Sequence, residues 1–140
     1  MSQSFSQLWN HVIFSTKTRY PFLDNPILQK RLQDYMAATY RELHCSPTIV
    51  GGVEDHVHLL ICLDKTMSLS TLIEKIKKSS SKWIKTLVAK DSQLEQFYWQ
   101  RGYGAFSVSQ SNCKAVTRYI QNQKIHHQKM SFQDELRKFL

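Results

Sequence analysis

Glycine and proline are scarce, 4 and 3 in 140 residues, which excludes collagen-like repeats and flexible linkers. Cysteine is also sparse. Cys45, Cys62 and Cys113 are odd in number and form no CxxC pair, so reduced thiols in a cytoplasmic protein are expected rather than a disulfide framework or zinc knuckle. No run approaches the ~18 apolar residues of a membrane span. The start, MSQSFSQLWNH, shows no basic segment leading into an apolar one, and no secretory leader is expected. Internal repeats and low-complexity tracts are absent, so residues 1–140 are expected to form a single domain.

Acidic residues are the minority charge, 11 against 19 Lys and Arg, for a net charge of +8. Such an excess suits a polyanionic partner. The lysines are also clustered: positions 65 to 90 hold seven of them and one acid, Glu74.

Hydrophobic patterning gives an alternating order of elements. Residues 8–16 (LWNHVIFST) are rich in β-branched and aromatic side chains and predict a first strand. Asn25-Pro26 is an N-cap followed by proline at the first helical position, and apolar spacing carries that helix to about His44. Residues 48–53 and 56–63 flank an acidic turn, Glu54-Asp55, and read as a β-hairpin. Thr71-x-x-Glu74 matches a capping box for a second helix with an apolar stripe from Leu72 to Val88. Residues 97–109 read as a strand loosened by Gly102 and Gly104. Ser111 or Asn112 caps a further helix to about His127, and a short amphipathic piece at 132–140 closes the chain. The order predicts an α+β fold of the ferredoxin-like, split βαββαβ type: an antiparallel sheet with two helices on one face, and a later helix after the last strand.

His56-Val57-His58 is the most informative triplet. On a strand the two imidazoles face one way, roughly 6–7 Å apart along the chain, while Val57, Leu59, Ile61 and Leu63 face the other. The histidines thus lie on the sheet face that the two helices leave open, as half of a rigid metal site. HxH alone is weakly specific, and further ligands must come from elsewhere. Tyr119 and Gln123, four residues apart, project together from the later helix, placing a phenol and an amide within one turn. His126 and His127 follow on roughly the same side. Glu54 and Asp55 are read as turn-formers.

The segments EDHVHLLICL, WQRGYGAFSVS and YIQNQKIHH, in this order and spacing, resemble the single-tyrosine transposases of small bacterial insertion sequences, members of the HUH endonuclease superfamily; relatives associated with repetitive palindromes are included. The likeness runs from HVIFSTKTR to SFQDEL, nearly the whole chain. It implies metal-dependent cleavage and rejoining of single-stranded DNA at hairpin-marked ends, through a 5′-phosphotyrosine. Carried over by position, His56 and His58 are the metal pair, Tyr119 the nucleophile and Gln123 the third ligand. The resemblance favours Mg2+ or Mn2+, although two imidazoles and an amide suit manganese, zinc or nickel better than magnesium by ligand softness. It also implies a homodimer, with possible exchange of the Tyr119 helix.

For substrate contact, Lys77, Lys78, Lys82 and Lys85, together with Lys75, line the second helix beside its apolar stripe, and Arg101 lies between Trp99 and Tyr103 as a phosphate clamp. Tyr103 and Phe106 are candidate base-stacking rings, with core packing as the alternative. Two other readings compete. One is a non-catalytic nucleic-acid-binding module on the same fold, against which the absence of aromatics from residues 56–63 counts. The other is a host-adopted relative that processes palindromes with the same chemistry.

Overall fold

The computed structural model describes residues 5–43, 48–123 and 132–139. Four strands, β1 (Leu8–Ser15), β2 (Thr48–Gly52), β3 (His56–Leu63) and β4 (Gly104–Val108), form one antiparallel sheet in the order β2-β3-β1-β4. Helix α1 (Pro26–Glu42) joins β1 to β2, and α2 (Leu69–Lys85) joins β3 to β4. Helices α3 (Cys113–Gln121) and α4 (Phe132–Phe139) follow the last strand. This is the split βαββαβ arrangement expected from the sequence. Among the described residues no helix is long and apolar enough to cross a membrane.

Strand alternation divides the sheet's side chains into two layers. Val12, Phe14, Val57, Leu59 and Ile61 face α1 and α2, meeting Leu32, Met36, Tyr40, Leu72, Ile73 and Ile76 in the main core. Each fully buried aliphatic chain there contributes about 1.5–3 kcal/mol of transfer free energy. The opposite face presents His11, Ile13, His56, His58 and Leu60. It too is covered: all five are buried, as is Ile120 of α3. Helix α3 lies so close to β2 that a Cβ on Gly51 would stand 2.4 Å from the Ile120 carbonyl oxygen. Only glycine fits there.

Several local expectations are corrected. Asn25 does cap α1, its side chain accepting from Ile27 N at 2.9 Å with Pro26 at the first helical position; the helix ends at Glu42, and His44 lies outside the described residues. Thr71 does not cap α2. Ser68 does, accepting from Thr71 N at 3.2 Å, so the cap sits one turn earlier and the helix stops at Lys85, before Leu87 and Val88. The expected strand over 97–109 is regular only at Gly104–Val108. Before it, Phe97 and Trp99 turn inward as core aromatics, with Trp99 reaching Thr16 in an isolated bridge. Asn112 is the N-cap of α3 but makes no side-chain capping bond. His126, His127 and Cys45 lie outside the described residues; Cys62 and Cys113 are free thiols.

Candidate active site

Strand β3 positions the two histidines through ordinary ladder pairing, His58 opposite Ile13 and His56 opposite Ser15. Both rings are buried and both direct Nε2 at one carboxylate. Glu135 Oε1 lies 2.8 Å from His58 Nε2 and 3.5 Å from His56 Nε2. The ligating atoms of these three residues lie within 4.8 Å of one another. Glu135 comes from α4, which the sequence marked only as a closing amphipathic piece. Its signal was weak: one of two adjacent acids, Asp134 and Glu135, on a short polar helix, 77 positions from His58.

The far nitrogens of the two rings are also engaged. His56 Nδ1 is 2.7 Å from the Asp55 carboxylate, and His58 Nδ1 is 2.9 Å from His11 Nε2. Asp55 therefore does more than form the turn, and His11 is a site residue that the sequence did not single out. It is on β1, with the ring buried and 5.1 Å from that of His58, centroid to centroid.

Tyr119 arrives from α3. Its ring is 5.9 Å from the His58 ring and 6.2 Å from the His11 ring, and its hydroxyl is buried in the same pocket. Gln123 is buried one turn on. Its Nε2 donates to the Tyr119 carbonyl at 3.2 Å, while its Oε1 is buried with no hydrogen-bond partner among the described residues. One chain thus brings His56, His58 and the Tyr119 ring together with Glu135, Asp55 and His11, while Gln123 is buried beside Tyr119, one turn on along the chain.

Electrostatics separates the two imidazoles. Burial lowers the pKa of His58 to about 4 against the opposing pull of Glu135, and burial likewise lowers His11 to about 4. Burial also acts on His56, but hydrogen bonds and charge from Asp55 and Glu135 outweigh it and leave its pKa raised. Burial, reinforced by Glu135, pushes the Tyr119 phenol up, with Gln123 opposing. As it stands the phenol is firmly protonated.

The donor set suits a divalent cation. Two imidazoles and a carboxylate are mixed nitrogen and oxygen ligands of the kind that manganese accepts and zinc tolerates.

The basic residues lie elsewhere. Helix α2 packs on the sheet face away from the histidines, with Lys78, Lys82 and Lys85 exposed. Lys85 also sits 4.2 Å from the Tyr98 ring centre. Lys77 is turned inward: its Nζ donates to the Gln100 and Gly102 carbonyls at 2.9 and 2.6 Å. Arg101 is exposed between those residues. Gln100 N donates to Ser15 O at 2.8 Å, and Ser15 pairs with His56, so Arg101 borders the histidine end of the sheet. Tyr103 is 42% exposed. Phe106 packs toward His11, with ring centres 6.4 Å apart.

Comparison with known proteins supplies a family. The model of the IS200-like transposases matches residues 4–123. No curated protein matches. Among solved structures, one from Deinococcus radiodurans R1 described as a transposase superposes with a TM-score of 0.65 at 21% identity, over 86% of this chain and 93% of that one. A REP-associated tyrosine transposase bound to a REP hairpin superposes with a TM-score of 0.58 at 14% identity, over 89% of this chain and 72% of that one. At these identities the superpositions speak for the fold.

Proposed function

The chain belongs to the IS200-like transposase family, and from that premise we propose that it cuts and rejoins single-stranded DNA through a covalent bond to Tyr119. The observation that carries this reading is the placement of the Tyr119 ring 5.9 Å from that of His58, in a pocket built from two imidazoles and a carboxylate.

In the closed site His56, His58 and Glu135 would hold a divalent cation, Mn2+ or Mg2+; once Glu135 withdraws, the Gln123 amide oxygen would stand as the third ligand beside the two imidazoles. When bound, the cation supplies Lewis acidity that polarises the scissile phosphate. The chain's own residues do the rest. Tyr119 Oη attacks phosphorus, the bond from phosphorus to the 3′ oxygen breaks, and the strand leaves with a 3′-hydroxyl. The phenolic proton passes to water, and the leaving oxygen takes one. The remaining strand stays on Tyr119 as a 5′-phosphotyrosine, which conserves the phosphodiester's energy for rejoining.

Access is a further requirement. The Tyr119 hydroxyl, His56 Nε2 and Glu135 Oε2 have no solvent-accessible surface. Glu135 of α4 sits against both imidazoles, so α4 would withdraw as DNA enters, the scissile phosphate taking the anionic place that Glu135 holds. Lifting α4 also removes the carboxylate that helps to keep the phenol protonated.

Hairpin DNA is the proposed substrate. Exposed Lys78, Lys82, Lys85 and Arg101 would meet its phosphates, while Lys77 holds the loop that carries Arg101. For the homodimer suggested by the family resemblance, β4 is an outer strand of the sheet among the described residues. The Tyr119 ring, 5.9 Å from its own chain's His58 ring, supports attack within one chain.

The direct test uses a 3′-labelled hairpin oligonucleotide with manganese. A denaturation-resistant protein–DNA adduct is expected, abolished by a chelator and by His58→Ala. A non-catalytic binder gives retention without an adduct, and that result would overturn the proposal.

A further inference from the structure

The two imidazoles of the site have unlike partners at Nδ1. The partner of His56 is the Asp55 carboxylate, at 2.7 Å. A carboxylate only accepts, so His56 Nδ1 carries a proton whatever occupies the site. The partner of His58 is another imidazole, His11, at 2.9 Å. A neutral imidazole nitrogen donates or accepts according to its tautomer.

That difference matters because His58 faces two kinds of occupant. In the closed site its Nε2 is 2.8 Å from Glu135 Oε1, a hydrogen bond in which Nε2 must donate. A neutral His58 then has a bare Nδ1, which accepts from His11 Nε2–H. When a cation takes the Nε2 lone pair, the His58 proton must sit on Nδ1 and donate to a bare His11 Nε2. Asp55 could serve only the second state. An apolar residue could serve neither, leaving a buried ring nitrogen unpaired.

We propose that His11 is the positioning residue of the metal site, holding the His58 ring in both states by reversing the direction of one hydrogen bond. The inference rests on the metal-dependent reading above. The protons balance. On loading, His58 releases its Nε2 proton to water and receives at Nδ1 the proton from His11 Nε2, while His11 takes one from water at Nδ1. Each ring is neutral before and after.

The scaffold keeps the ring in place for this. His11 pairs with Leu60 across the β1–β3 ladder, diagonal to His58. Its ring is fenced by those of Phe106 and Tyr119, at centroid distances of 6.4 and 6.2 Å. The same ring thus abuts the nucleophile, so His58 and Tyr119 share one support.

The test is nitrogen-detected NMR of the full-length protein carrying 15N-histidine, without metal and with zinc as a diamagnetic probe. His58 is expected to be protonated at Nε2 without metal and at Nδ1 with zinc, His11 to change from Nε2–H to Nδ1–H, and His56 to keep its Nδ1 proton throughout. Calorimetry should show His11→Leu binding zinc at least about tenfold more weakly, in the range typical of lost ligand-orienting partners. His11→Gln, whose amide both donates and accepts, should stay within a few-fold of wild type. A His11 tautomer unchanged by zinc, or a folded His11→Leu that binds zinc like the wild type, overturns the inference. If His11→Leu does not fold, the wild-type spectra decide alone. A wild-type protein that takes up no zinc or manganese would instead defeat the metal-dependent reading itself.

Discussion

His56 and His58 share one strand face, yet their surroundings treat a proton oppositely: burial takes His58 down to about 4, while Asp55 and Glu135 raise His56. The consequence is a pH dependence of stability with a definite sign. Unfolded, an imidazole takes up its proton near pH 6.5; folded, His11 and His58 do so only at about 4. Between those values the unfolded chain binds more protons, so their contribution is whole above about pH 6.5 and is lost as pH falls toward 4. His56 acts the other way, its contribution present at low pH and lost as pH rises through its raised pKa, but it is one ring against two. The urea midpoint of the metal-free protein is therefore expected to fall from pH 7 to pH 4.5, and to fall less steeply in His11→Gln. A midpoint rising over that interval would contradict the burial assigned to the two rings.

Among the elements, α3 and α4 turn a common sheet into a reaction site. Helix α3 reaches the sheet only because Gly51 has no side chain, since a Cβ there would meet the Ile120 backbone carbonyl at 2.4 Å. Backbone cannot step aside as a side-chain tip can. Gly51→Ala should thus displace the helix that carries Tyr119, at about 1–3 kcal/mol of overpacking. Misplacement of a reacting group by roughly 1 Å costs on the order of 100-fold in rate. The expected variant is folded, with a lowered thermal midpoint and adduct formation reduced far more than metal binding; an unchanged rate would place α3 differently. Helix α4 acts in the opposite sense, seating Glu135 on both imidazoles. Glu135→Ala should weaken metal binding in the absence of DNA and yet speed adduct formation several-fold, because the seal and the phenol's carboxylate neighbour are both lost. Slower adduct formation would make Glu135 a ligand needed throughout the reaction rather than a closing contact.

At the scale of the whole molecule, sheet order and layer assignment were legible because alternation and helical spacing are local signals that packing did not override. The HVH pair was legible for the same reason: a period of two puts both rings on the face away from α1 and α2. What escaped the sequence lay in long-range contacts. Glu135 sits in an unremarkable polar helix, and only folding brings it to His58; His11 looks like one more strand residue until β1 pairs beside β3. Lys77 shows the converse, a cation placed by composition among phosphate contacts whose ammonium instead holds two carbonyls. The lysine helix lies on one side of the sheet and the tyrosine on the other, so under the proposed function a strand that met both would pass around an edge, with Arg101 at the histidine end of that path. The central claim is that the phenol on α3 is the atom that attacks DNA beside the β3 imidazoles. Its most direct measurement is peptide mapping by mass spectrometry of the adduct formed with manganese and a hairpin oligonucleotide. The expected result is a single modified peptide carrying the nucleotide on Tyr119, with none formed by Tyr119→Phe; DNA attached to any other residue, or an adduct that survives that substitution, would contradict it.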